Sequence, residues 1–316
     1  MIPGGLNWTK LLISIGYLTV FFIFLGYIAL RVMRKRLVQS HPEEFGAPEN
    51  RGPFRRSNVS MLVELWQYRE LLRSLVVRDL KVKYQRSLLG LIWTLLNPLM
   101  TVVILVTVFS FVMRVRVGHY WAFLISGFFV WNFISQVLCT TTTILSNHAS
   151  LSRSVYFPRE ILVLSATCSR LVEFLIEISI VLVVLFLFHY HSVPTSLILL
   201  PILILIQVIL TTGLMFPLTV ISVLFYDVKH ALPIVVTSIF YLTPVFYPPS
   251  IVPEGLRPFY YLNPFASLLS LYQTVLYEAA WPSLKLLVSV SGAAAGILVL
   301  GYWVFRRYKG VCIEIA

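Results

Sequence analysis

Charged residues are scarce in this sequence. Asp, Glu, Lys and Arg make up 12% of its 316 residues, whereas a soluble globular domain carries about 25%. The hydrophobic fraction is 58% and the mean hydropathy is +0.86. Apolar residues fall in runs near the ~20 residues that a helix needs to cross a bilayer. The composition therefore excludes an ordinary soluble domain, and the absence of period-two alternation argues against a β-barrel.

Signals for catalytic and metal sites are also missing. The three cysteines (Cys139, Cys168 and Cys312) have no paired spacing, which indicates neither a disulfide framework nor a metal site. The sequence contains no G-x-x-x-x-G-K-[ST], so it lacks the phosphate-binding loop of a nucleotide site. HExxH and G-x-S-x-G are absent as well. We expect no catalytic residue, metal or cofactor in this chain.

Seven apolar runs meet or approach the length of a membrane span. They are Leu11–Leu30, Leu88–Met113, Tyr120–Leu145, Ile161–Phe188, Leu197–Tyr226, Ala231–Tyr247 and Leu286–Phe305. Cytoplasmic loops carry an excess of Lys and Arg, which sets orientation. With the N-terminus outside and the C-terminus in the cytoplasm, the inner segments hold 19 of the 25 Lys and Arg and the outer segments hold 5. This placement indicates a membrane topology rather than nucleic-acid binding.

The first span differs from a cleavable signal peptide. One cation, Lys10, precedes it, four follow within Arg31–Arg36, and no small-residue cleavage site appears. We predict a retained anchor over residues 1–36. A cytoplasmic linker over residues 37–60 follows, because its Pro and Gly residues disfavour regular structure.

Residues 61–86 have the pattern of an amphipathic helix. Apolar side chains recur at steps of three and four from Leu62 to Leu80, with charged side chains between them. We predict a helix along the cytoplasmic membrane surface; the alternative is a solvated helix packed on other protein. The cations of its basic face are Arg78, Lys81, Lys83 and Arg86.

The loop before the fourth span contains a helix-start signal. Pro158 suits a first helical turn, and Glu160 puts a negative charge where the helix dipole favours it. The preceding residues, Ser150–Tyr156, would form a short cytoplasmic helix. An ordinary capped loop is the alternative.

Three ionisable residues interrupt the fourth span. Arg170, Glu173 and Glu177 stand at i, i+3 and i+7, which places them on one helix face. Each costs about 2.5–3.5 kcal/mol on insertion scales, so they must pair or face water. Either they line a pathway or couple two subunits, or Arg170 and Glu173 pair locally. Glu177 lies deeper and is the better functional candidate.

The segment 248–282 is too apolar for a free outer loop and too rich in proline for a single helix. Non-helical backbone at membrane depth must be covered by protein or line a cavity, so we predict two short re-entrant or interfacial helices. Aromatic residues cluster near the outer span ends, as in an interfacial belt. Those we consider as channel-lining candidates are Phe128, Trp131, Tyr241, Phe246 and Tyr260.

Four motifs in order resemble the permease subunits of polysaccharide-exporting ABC transporters, which serve O-antigen, capsule and teichoic acid export. They are Arg78–Pro98, Tyr156–Glu160, Thr243–Pro248 and Leu262–Pro264. The resemblance is collinear from about residue 60 to the C-terminus. Each motif alone is weak, but four at appropriate spacing are specific.

This resemblance implies an all-α, six-span core of the ABC type-2 exporter kind over residues 87–316. It implies a homodimer around a channel, two copies of a separate ATP-binding subunit that hold ATP and Mg, and a bacterial cytoplasmic membrane location. The implied cargo is an undecaprenyl-pyrophosphate-linked polysaccharide. The basic face of the amphipathic helix would meet lipid headgroups or the cargo pyrophosphate. A coupling element would dock on the ATPase through Arg153, Tyr156, Phe157, Pro158, Arg159 and Glu160.

Two features depart from the family pattern. The span within residues 1–36 is additional, and Asp227 lacks the arginine that often precedes it, so no role of that arginine transfers. A permease of a drug or small-lipid exporter is one alternative. A membrane enzyme acting on a lipid-linked sugar is another, but the outer loops contain only Glu254 and Glu278 as acids.

Overall fold

Helices form all the regular structure that can be described for this protein. The computed structural model describes residues 68–84, 92–112, 117–144, 158–225, 227–248 and 263–308. Every regular element in these ranges is helical, which confirms the all-α class. The predicted anchor over residues 1–36 and the linker over residues 37–60 lie outside the described residues.

The described helices follow the apolar runs of the sequence closely. In chain order they are α1 (Arg69–Tyr84), α2 (Ile92–Thr107, extended by a π-helical turn at Val108–Val112), α3 (Tyr120–Thr140), α4 (Glu160–Phe188), α5 (Leu200–Leu224, preceded by a 3₁₀ turn at Thr195–Leu199), α6 (Val228–Leu242), α7 (Pro264–Leu276) and α8 (Leu284–Tyr308). Four segments are long and apolar enough to cross a membrane: α3, α4, α5 with its 3₁₀ turn, and α8. Two shorter helices, α2 and α6, are also apolar.

The central helix of the bundle is α3. It packs against α2, α4, α5, α6 and α7, and most of its side chains are buried. The amphipathic helix α1 packs along α4 and buries Leu75 and Val77. The described part of this helix therefore rests on protein on one side; residues 61–67, 85 and 86 of the predicted helix lie outside the described residues.

The helix α6 ends five residues earlier than the apolar run predicts. Thr243 is extended (φ −109°, ψ 153°), because the residue before a proline avoids the helical region. Two carbonyls of this break are satisfied by side chains from elsewhere: Gln273 Nε2 donates to Pro244 O at 2.5 Å and Tyr120 Oη donates to Phe246 O at 2.7 Å. Irregular backbone inside a membrane protein requires such partners.

One short helix, α7, lies within the predicted re-entrant segment. Its 13 residues extend only about 20 Å at 1.5 Å per residue, and nearly all of them are buried. The Asn263 side chain caps it by accepting from the Phe265 N–H at 3.0 Å. In its interior, Tyr272 Oη donates to Gln207 Oε1 of α5 at 2.5 Å. Residues 249–262 of the predicted segment lie outside the described residues.

The helices α5 and α8 approach closely through two glycines. A Cβ built on Gly213 would lie 2.7 Å from Leu298 Cα, and one built on Gly301 would overlap the Gly213 carbonyl oxygen. Small residues at membrane helix contacts permit this approach, and van der Waals packing then holds the helices together. Neither backbone can yield by rotating a side chain, so both positions require glycine.

The substitution Gly301→Ala should therefore destabilise the protein. Overpacking of a tight contact costs about 1–3 kcal/mol, which should appear as a lower thermal unfolding midpoint of the detergent-solubilised protein. The matched control is Gly296→Ala on the same helix, where a Cβ would meet no atom within 4 Å. Because alanine favours a helix over glycine by up to about 1 kcal/mol, this control should be neutral or stabilising. Equal midpoints for the two variants would contradict the packing described here.

Candidate functional site

The three ionisable residues of α4 face a stripe of polar residues on α3. Asn132, Gln136 and Thr140 are spaced by four residues, so they share one side of that helix. Arg170 Nη1 donates to Gln136 Oε1 at 2.9 Å and Nη2 lies 3.5 Å from Thr140 Oγ1. The charges of α4 are thus met by polar side chains within the bundle.

Glu173 is the centre of this cluster. Its side chain is 5% exposed, and both carboxylate oxygens are bound. Lys83 Nζ lies 2.8 Å from Oε1 and 2.9 Å from Oε2, Tyr84 Oη donates to Oε1 at 2.6 Å, and Arg170 Nη1 donates to Oε2 at 2.9 Å. Hydrogen bonds to an ionised group are short and strong. One buried carboxylate therefore joins the last two residues of α1 to α4 and, through Arg170, to α3.

The structure bears on two predictions from the sequence, the pairing of Arg170 with Glu173 and the place of Lys83. Arg170 and Glu173 do contact each other, as their i, i+3 spacing suggested. The contact is only part of a larger cluster, however, because Lys83 reaches Glu173 from 90 residues away in the sequence. The sequence places Lys83 on the basic face that would meet lipid headgroups or the cargo pyrophosphate. In the structure its ammonium binds Glu173.

Burial affects the ionisation of Lys83. Partial burial lowers the pKa of its ammonium below the ordinary lysine value, and the Arg170 guanidinium lowers it further. The Glu173 carboxylate opposes both effects by its hydrogen bond and its charge. Lys83 and Arg170 are thus two neighbouring cations that share the Glu173 carboxylate as their partner.

Glu177 lies one turn farther along α4 and is buried even more deeply than Glu173, at 3% exposed. Among the described residues it receives one long hydrogen bond, from Asn132 Nδ2 to its Oε1 at 3.4 Å. None of its hydrogen bonds or ion pairs among those residues is to α1. The residue that we favoured as functional from the sequence is therefore less connected than its neighbour Glu173.

A cavity of about 680 Å³ borders the cluster between α1 and the spans. Its polar lining comes from α1, α3 and α4. The polar and charged residues that line it are Arg78, Asp79, Lys83, Thr140, Ser169, Arg170 and Glu173. Arg78 lies 3.3 Å from the Asp79 carboxylate, and Lys81 is exposed. Arg86 lies outside the described residues.

The predicted coupling element is described only at its end. Arg153, Tyr156 and Phe157 lie outside the described residues. Helix α4 begins at Glu160, which is in its first turn and buried, and Arg159 is the N-cap residue. Pro158 directly precedes this cap, and its carbonyl accepts from the Ile161 N–H at 3.1 Å. The segment thus leads directly into the helix that carries Glu173.

The aromatic channel candidates fall into two groups. Phe128 and Trp131 are buried within the chain, where both rings contact Phe240 at centroid distances of 6.4 and 6.0 Å. In this chain they are core residues, because α6 covers their side of α3. Tyr241 is 60% exposed and lies 5.7 Å from the partly exposed ring of Phe246. Tyr260 lies outside the described residues.

Several residues of the cluster were missed by reasoning from the sequence. Tyr84 carries no local signal, since a tyrosine at the end of an amphipathic helix is ordinary. The polar stripe of α3 does carry one: Asn132, Gln136 and Thr140 recur every four residues in an otherwise apolar span. Polar residues inside a span face protein or water, so this stripe predicts a polar partner on a neighbouring helix.

The change Tyr84→Phe should weaken the cluster without altering the ring packing. A hydrogen bond to a charged group contributes about 1.5–3 kcal/mol, and the loss should appear as a lower free energy of unfolding in mixed micelles. The control is Tyr308→Phe, whose side chain is 44% exposed at the end of α8. That change should stay within about 0.5 kcal/mol of the unaltered protein. A Tyr84→Phe variant as stable as this control would contradict the bond.

Comparison with known proteins places this arrangement in a family. The family described as ABC-2 type transporter matches residues 70–277, which contain the whole cluster and almost all of α1 through α7. The O-antigen export system permease protein RfbA of Myxococcus xanthus is 33% identical over 254 residues, which are 79% of this chain and 97% of that protein. Two proteins of the same name from Klebsiella pneumoniae are 29% and 28% identical over 214 and 212 residues, covering 67% of this chain and 82% of each.

These matches confirm the resemblance drawn from the four motifs. The family match runs from the amphipathic helix α1 to the end of α7 and includes all four motifs. Because the family match covers more than half of the sequence and a relative is 33% identical over nearly its full length, this chain belongs to the family of ABC-2 type transporters.

Proposed function

We propose that this chain is the permease subunit of an ATP-driven exporter that moves a lipid-linked, O-antigen-like polysaccharide across the cytoplasmic membrane. The observation that carries this proposal is the 33% identity over 97% of an O-antigen export permease from Myxococcus xanthus. The family match over residues 70–277 includes α2 through α7 and almost all of the amphipathic helix α1. The proposed cargo class is therefore inferred from similarity to nearly the whole of a related subunit, not to a fragment of it.

The proposed membrane arrangement has six core spans. Helices α2, α3, α4, α5, α6 and α8 would cross the bilayer, with α7 folded back into it and α1 at the cytoplasmic surface. The charge distribution supports an outside N-terminus and a cytoplasmic C-terminus, because the inner segments then hold 19 of the 25 Lys and Arg. Residues 1–36 would add a seventh span that the family pattern lacks.

Partners follow from the family and from the missing phosphate-binding loop. Two copies of this chain would enclose the channel, and two ATP-binding subunits would hold ATP and Mg. Neither nucleotide nor metal would bind this chain, so its work is to convert motion of the partner into opening of the pathway. The segment that ends at Glu160 would receive that motion, because it leads directly into α4.

Deletion of the gene for this chain tests the cargo. Surface polysaccharide should disappear, and lipid-linked polysaccharide should accumulate on the cytoplasmic side, because synthesis continues while export stops. The measurements are surface labelling of the glycan and sugar analysis of the extracted lipid-linked pool. Restoration of both by the intact gene is the control. Normal surface glycan in the deletion strain, with altered efflux of a drug or small lipid, would favour the alternative exporter.

The double change Tyr156→Ala with Phe157→Ala tests the coupling element. A buried aromatic anchor contributes about 2 kcal/mol or more to an interface, so its loss should abolish export and recovery of the ATPase by pull-down. The permease should still insert and dimerise. Arg153→Ala is the control, because an exposed charge pair contributes about 1 kcal/mol or less. Normal export and pull-down in the double variant would show that coupling uses another element.

A further inference from the structure

We propose that four residues, Glu173 with its partners Lys83, Tyr84 and Arg170, make α1 and α4 move as one during transport. These four residues are here called the latch. The inference rests on the proposed export function, since it assigns a step of the ATP-driven cycle to the latch. Glu173 acts as a positioning residue that links two helices of the permease. The latch is distinct from the coupling element that precedes α4.

The directions of its contacts give the latch this role. Both donors from α1 are its final two residues, Lys83 and Tyr84, and both bind the same carboxylate of α4. Arg170, one turn before Glu173 on α4, binds that carboxylate and also Gln136 of α3. Displacement of α1 is thus transmitted to α4 and then to the central helix α3.

The cavity beside the latch limits the apolar packing between the last turns of α1 and the facing segments. About 680 Å³ of space separates the side of α1 that carries Arg78, Asp79 and Val82 from Thr140, Ile144 and Ser169 of the facing segments. Apolar packing transmits displacement only where side chains touch. At the end of α1, the charged contacts to Glu173 bridge this otherwise open region.

Burial makes the latch strong enough to transmit force. Removing one partner from a buried ion pair leaves an uncompensated charge, which is far less favourable than losing an exposed pair. Glu173 is almost fully buried, so separating α1 from α4 would remove the carboxylate partner of Lys83 and leave Glu173 with Arg170 as its charged partner. The two helices are therefore more stable moving together than apart.

Glu177 provides the matched comparison within the same helix. It is the same residue type, on the same face, one turn farther along, and it is slightly more buried. Its described hydrogen bond is to Asn132 of α3, and no described hydrogen bond or ion pair joins it to α1. If buried carboxylates of α4 acted only by stabilising the bundle, changing either residue would have the same effect on transport.

The test uses the complete complex of this chain with its co-purified ATP-binding subunit, compared in cells and in reconstituted vesicles. Glu173→Gln keeps the shape of the side chain and removes its charge. We expect at least a tenfold loss of glycan exported per ATP hydrolysed, with hydrolysis itself retained, because the ATPase cycles while α1 and α4 slip. Glu177→Gln should stay within twofold of the unaltered complex.

Substitutions of Lys83 give a second test and allow a double-mutant cycle with Glu173. Lys83→Met changes a partly exposed position and removes the charge together with both hydrogen bonds to Glu173. Lys83→Arg preserves the charge and should retain export per ATP. If the two residues act through each other, Lys83→Met combined with Glu173→Gln should be no worse than the poorer single variant. Losses that multiply in the double variant would assign separate roles and overturn the latch.

Three further outcomes are decisive. Export per ATP within twofold of the unaltered complex, for Lys83→Met or for folded Glu173→Gln, overturns the latch. A parallel fall in export and hydrolysis at a constant ratio assigns these residues to stability alone and also overturns it. Absence of glycan export by the unaltered complex would instead refute the proposed function, so the two failures are distinguishable.

Discussion

The need to compensate a buried carboxylate governs the arrangement of this permease. Charges inside a membrane protein persist only where partners or water replace lost hydration, and Glu173 is surrounded by three donors from two helices. Lys83 and Tyr84 come from outside the spans, so the carboxylate fixes where the amphipathic helix ends against α4. The position of the amphipathic helix α1 is thus set by the Glu173 carboxylate inside the bundle.

The same requirement explains the polar residues of the central helix. Most of α3 is buried among five neighbouring helices, where an unpaired amide or hydroxyl would be unfavourable. Gln136 and Asn132 are acceptable there because Arg170 and Glu177 of α4 are their partners. Polar contacts of this kind define the relative rotation of α3 and α4, which apolar packing alone specifies weakly.

Backbone satisfaction and close packing govern the other side of the bundle. The break after α6 exposes carbonyls that Gln273 and Tyr120 satisfy, so α7 and α3 are held to the end of α6. Gly213 and Gly301 bring α5 and α8 together at backbone distance. Neither device involves charge. Helix α1 is joined to the spans in a different way, by the polar cluster and by the packing of Leu75 and Val77 along α4.

The sequence by itself determined the class of the protein, the order and approximate limits of its helices, and its family. Hydropathy, helix periodicity and proline positions are local properties, so they can be read without knowing which helices touch. The shared face of Arg170, Glu173 and Glu177 was also local, because three and four residues make one turn of a helix. The early end of α6 has a local cause as well, since Pro244 fixes the conformation of Thr243, although the apolar run to Tyr247 predicted a longer helix.

Only the tertiary structure decided which of these residues meet. The contact of Lys83 with Glu173 joins positions 90 residues apart, and it depends on how α1 lies across α4. The burial of Phe128 and Trp131 depends likewise on the placement of α6 against α3. Many helix arrangements bury the same apolar faces, so hydropathy does not select one of them. Pairing of buried charges and contact between glycines do select one, because both are directional or short-ranged and fail when a helix turns or shifts.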